Sequence, residues 1–170
     1  MAKDHELQVK MRKDLFAAYR DVCSKPCPTQ KVAWLRTVKH PAKRFYILEG
    51  IACKHVVPML RGDFTLIEQS KRPQKKRMYY DIYNICLELM QTKEWHDKPA
   101  SSVIKQAITM PAPEFYMSWL TFKRIFEYCK RFGTRYRHKE ATLICHKFTN
   151  YRDGKPKDAV WKKRRIMVGL

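Results

Sequence analysis

The chain has 170 residues, room for one domain or two small ones, and 45% of them are hydrophobic, so it is not a disordered polycation. It carries 36 Lys and Arg against 16 Asp and Glu, a formal net charge of +20. An excess that large repels itself in a compact fold unless a polyanion neutralises it, which points to nucleic acid first, then an anionic membrane, then an acidic protein.

The first amphipathic run spans about 8–23, with Met11, Leu15, Phe16, Tyr19, Val22 and Cys23 at helical spacing. "SKPCP" breaks it. Thr29 is placed to cap a second helix over 30–39, with Val32, Trp34, Leu35 and Val38 as its apolar positions. Pro41 ends that helix, because the residue before a proline avoids helical geometry. A third helix is expected over 48–57, with Leu48, Ile51, Ala52, His55 and Val56 on one side, Pro58 as its limit and Gly62 in a later turn. The stretch 61–77 then reads as a linker, basic in its second half. A second set follows in the same order. It has a helix over 77–91, the loop "EWHDKPA", a helix over 101–109 capped by Ser101, and a third helix capped by Ser118, with Trp119, Phe122, Ile125, Phe126 and Cys129 as its apolar positions. A last helix is expected over 139–151, ahead of a basic end.

Between helices two and three, "HPAKRFY" (40–46) returns as "MPAPEFY" (110–116). Pro41, Ala42, Phe45 and Tyr46 recur as Pro111, Ala112, Phe115 and Tyr116, so the chain contains a duplicated unit. The proline stops helix two, the alanine permits close packing, and Phe45 and Phe115 are expected to pin the turn to the core. Tyr46 and Tyr116 either offer hydroxyls to phosphate or satisfy themselves at the core edge. The turn resembles the "PAPRFY"-like turn in a family of short, basic, uncharacterised proteins encoded by gut bacteria and their phages. The first copy keeps "PA", "RF" and "Y" but has Lys43 at the second proline; the second keeps "PAP" and "FY" but has Glu114 at the arginine. The resemblance implies helix-turn-helix-like repeats over the two helical units.

The expected architecture is therefore all-α: two tandem three-helix, helix-turn-helix-like units (8–62 and 77–132), a basic linker (63–76) and a basic C-terminal extension (133–170). Helix-turn-helix proteins place a later helix in the major groove while the turn contacts phosphate. On that geometry the candidate phosphate ligands are Lys43 and Arg44 in the first turn and Lys54 on the third helix. Lys71, Arg72, Lys75, Lys76 and Arg77 add a basic arm in the linker. Lys123, Arg124, Lys130 and Arg131 lie on the later third helix, with Arg135, Arg137, Lys162, Lys163, Arg164 and Arg165 beyond it. These helices are poor in Asn and Gln, so backbone contact is favoured over base reading.

No Walker-type phosphate loop or dinucleotide glycine pattern is present, and the chain has only five glycines. "CSKPC" has no second thiol pair at a partner spacing. Acids and histidines are dispersed, without the clustering that metal-assisted or nucleophilic chemistry needs. The expectation is a non-enzymatic, cofactor-free and metal-free protein that binds nucleic acid, with duplex DNA favoured over RNA. The rival is a structural or packaging component of a phage virion whose charge meets a genome or an acidic phage or host protein. No apolar run reaches membrane-spanning length, the charged N-terminus lacks a secretory apolar centre, and the six scattered cysteines read as reduced thiols. The expected place is cytoplasmic, nucleoid-associated or phage-encoded.

Overall fold

The structure, a computed structural model, describes residues 2–134. It is all-helical there: α1 (Ala2–Cys23), α2 (Gln30–Val38), α3 (Glu49–Leu60), α4 (Thr65–Glu68), α5 (Pro73–Met90), α6 (Ala100–Ala107) and α7 (Trp119–Phe132), with no strand among the described residues. The helix expected over 139–151 and the basic end lie outside the described residues. Residues Met1–Glu127 form one compact unit that holds both repeats. A second unit begins at Tyr128. Its described part is the end of α7, closed by Gly133, which adopts φ +75° and donates its N–H to the Cys129 carbonyl at 2.9 Å.

The helix ends follow from local chemistry. Thr29 Oγ1 accepts from the Val32 N–H at 3.3 Å, and Ser118 Oγ accepts from the Thr121 N–H at 3.1 Å, both as expected of N-caps. Ser101 is not a cap; α6 starts one residue earlier, behind Pro99. Pro58 does not limit α3, which runs on to Leu60. A proline near the end of a helix removes a single ladder bond, and little helix remains for that loss to break. α5 starts at Pro73, inside the stretch read as linker, because a proline suits the first helical position, where its missing N–H has no partner to lose. The rest of that stretch is also partly packed, since Ile67 of α4 is fully buried.

The buried faces of α2 and α3 explain two departures from the apolar pattern. In α2, Ala33, Trp34, Thr37 and Val38 point inward. Leu35, next in sequence to Trp34, is turned about 100° away and is 40% exposed. In α3, Ala52, Val56 and Met59 point inward and leave Ile51 44% exposed.

The two repeats interlock through reciprocal contacts of their turns. Ala42 and Ala112 form an antiparallel bridge, each N–H donating to the other's carbonyl at 2.8 and 2.9 Å. Phe45 N–H donates to Ile108 O at 3.2 Å, and its counterpart Phe115 N–H donates to Val38 O at 3.0 Å. The rings reciprocate as well: Phe45 stacks on Tyr116 at 5.8 Å and Tyr46 on Phe115 at 5.9 Å. This is the contact pattern of a symmetric homodimer, written into one chain.

The third helices are exchanged between the repeats. α1 packs on α2 and α5 on α6, each within its own repeat. α3, from the first repeat, packs on α5 and α6 of the second. α7, from the second repeat, meets the first: Phe126 stacks on Phe16 at 5.3 Å, Phe122 lies 5.6 Å from Tyr19, and Trp119 stacks on Trp34 at 6.0 Å. Neither repeat therefore has a complete core of its own.

Candidate nucleic-acid interface

The recurring turn holds the helices in place, and its polar groups are largely turned to that task. Phe45 and Phe115 are buried, as are Ala42 and Ala112. The Tyr46 hydroxyl donates to Asp14 Oδ2, and the Tyr116 hydroxyl donates to Asp81 Oδ2 at 2.5 Å. Burial, followed by the carboxylate contact, pushes both phenols above their ordinary pKa, so both stay protonated donors. Of the two readings open for these tyrosines, the structure shows the one at the core edge.

Several candidate cations also have internal partners. Lys43 Nζ lies 3.2 Å from Asp14 Oδ1. Arg77 Nη2 lies 2.6 Å from Glu114 Oε1, whose other oxygen accepts from Lys39 Nζ at 2.5 Å. Glu114 thus ties α5 of one repeat to the end of α2 of the other. Lys123 Nζ sits 5.6 Å over the Trp34 ring and 3.9 Å from Glu127. These cations are about half exposed or more, so the pairs are screened and contribute little individually. Arg44, at the position equivalent to Glu114, is half-buried with its Nε shielded and without a hydrogen-bond partner.

Of the other candidates, Lys54, Lys71, Arg72, Lys75 and Lys76 have no carboxylate within ion-pair reach among the described residues. Lys54 is exposed on α3; Lys71 and Arg72 are exposed just before α5, and Lys75 is exposed in its first turn beside the half-buried Lys76. The packing of α3 on α5 lets Lys54 and Lys75 both act on His55. The His55 ring packs on Tyr79 of α5 with centroids 4.4 Å apart, and Lys75 is one turn before Tyr79. Burial, then the charges of Lys54 and Lys75, lower the His55 pKa. Arg124 is exposed on α7, on the helix that meets the first repeat, and Lys130 and Arg131 are exposed at its end. Arg135, Arg137, Lys162, Lys163, Arg164 and Arg165 lie outside the described residues.

Sequence reasoning missed a cation–aromatic assembly at the junction of α2 and α7. Trp34 and Trp119 stack nearly parallel, and Lys31 Nζ stands 5.3 Å over the Trp119 ring. Both tryptophans were legible as apolar helix positions, but no pattern in the chain marks them as partners, because they belong to different repeats.

Among the described residues no group of three or more His, Cys, Asp or Glu is placed to hold a metal ion, and no helix is long and apolar enough to cross a membrane. No family model, curated protein or solved structure matches the chain.

Proposed function

We propose that the protein is a non-catalytic nucleic-acid-binding protein that grips the phosphate backbone of duplex DNA. The observation that carries this reading is the run of exposed cations on α3 and the start of α5. Lys54, Lys71, Arg72 and Lys75 have no carboxylate partner among the described residues, although Asp14 and Glu114 engage cations elsewhere. Their position adds weight. The N-terminus of a helix favours anions, yet the first turn of α5 holds no acidic residue, and Lys71, Arg72, Lys75 and Lys76 lie in or just before it. That arrangement is electrostatically unfavourable until an anion arrives, and a polyphosphate supplies it.

The test is binding of the full-length protein to a labelled random duplex, a single strand and an RNA hairpin across a salt series. Duplex binding is expected to weaken steeply with salt, with a log–log slope near −0.9 for each phosphate neutralised. No binding at low salt to any of the three overturns the proposal. The rival, an assembly or packaging component, is favoured by one observation: Leu120, 51% exposed, sits beside the stacked Trp119 and offers an apolar contact to a protein. Self-association together with indifference to DNA would select it.

A further inference from the structure

We infer that Lys54 and Lys75 form a seat for one backbone phosphate of a bound nucleic acid, and that the protonation of His55 beside them tunes its affinity. This rests on the nucleic-acid reading above and gives it a place on the surface. Two exposed lysines, one from each of two packed helices, act on one imidazole. The helices come from different repeats, so the seat exists only because α3 crosses to the second repeat.

The imidazole is held in a particular state. Its Nδ1 is shielded from solvent and has no hydrogen-bond partner. Protonation would place an N–H there without an acceptor and add a positive charge near two others. The groups acting on His55 are Lys54 on its own helix, and Lys75 and Tyr79 on α5. α6, the other helix packed on α3, turns the apolar Val103, Ile104 and Ala107 inward and leaves Lys105 exposed. His55 is therefore neutral at neutral pH in the free protein. A phosphodiester between Lys54 and Lys75 cancels their field, and the cost of charging His55 falls. By linkage, binding raises the His55 pKa, and lowering the pH strengthens binding. His55 acts as a tuning charge; the two lysines make the contact.

The experiment uses the full chain and the labelled random duplex. Between about pH 7.5 and about pH 5.5 the affinity of the wild-type protein is expected to rise about fivefold through this residue. His55→Phe, which keeps a ring on Tyr79, should remove that part of the rise. Lys54→Gln and Lys75→Gln should each weaken binding and reduce the salt slope by about one. Proton NMR of the wild-type imidazoles checks the same point without relying on a variant. One resonance, absent from His55→Phe, should titrate at higher pH with duplex than without. Inorganic phosphate alone at equal concentration should leave it in place, because a single phosphate lacks the neighbouring contacts. A steep salt slope in the wild type that none of the three substitutions alters, or a His55 resonance indifferent to duplex, overturns the seat and leaves the general reading standing. Wild-type protein that binds no nucleic acid at all overturns both. An equal response to inorganic phosphate overturns the nucleic acid as the source of the phosphate.

Discussion

Tyr46 and Tyr116 hold equivalent places, but their carboxylate acceptors are supported differently. Asp14 keeps the Lys43 ammonium at 3.2 Å if the Tyr46 hydroxyl is removed. Asp81 has no second side-chain partner among the described residues. Tyr116 also sits at φ +48°, in the left-handed region that a bulky side chain occupies only when its surroundings hold it there. Tyr116→Phe is therefore expected to lower stability by about 2 kcal/mol and Tyr46→Phe by about 1 kcal/mol, the range between a half-buried acceptor left unmet and one still partnered. Urea denaturation of the two variants decides it, and an equal loss would mean that Lys43 gives Asp14 no useful support. The tyrosines were only half legible in the sequence. Their recurrence marked them as important, but the hydroxyl's partner lies 32 residues away in one copy and 35 in the other.

At the level of helices, the caps Thr29 and Ser118 and the breaks at Pro41 and Pro111 were readable because they act within a turn or two of their own position. Pro58 and Ser101 were misread for the same local reason: each has a common role that its actual place in the helix does not use. Which helix packs on which was not readable. An amphipathic pattern says that a face is buried and is silent about what covers it, so α3 was assigned to its own repeat, and the packing of His55 on Tyr79 could not be foreseen. Glu114 was visible as the one departure from a basic turn, and its role became clear only when Arg77 and Lys39 were seen on either side of it. Because those two cations are largely exposed, Glu114→Gln should cost about 1 kcal/mol or less in stability. It also frees Lys39 and Arg77, so duplex affinity should rise severalfold at low salt and converge on wild type at high salt. A variant that binds more weakly at low salt would show that Glu114 orients the interface.

For the whole molecule, the exchange of α3 and α7 makes each repeat the other's core. Cutting the chain between Ser70 and Lys71, in the exposed stretch ahead of α5, should give two pieces that elute together in gel filtration and recover the helical signal only when mixed. Two pieces that each fold alone would contradict the exchanged packing. The same feature sets a condition on how the protein is made. A chain leaves the ribosome at about 5–20 residues per second, so α3 waits several seconds before α5 and α6 emerge to cover Ala52, Val56 and Met59. During that interval an apolar helix stands open beside other nascent chains carrying the same helix. Translation speed across the second repeat, and the spacing of ribosomes on one message, therefore decide whether the chain closes on itself or on its neighbour.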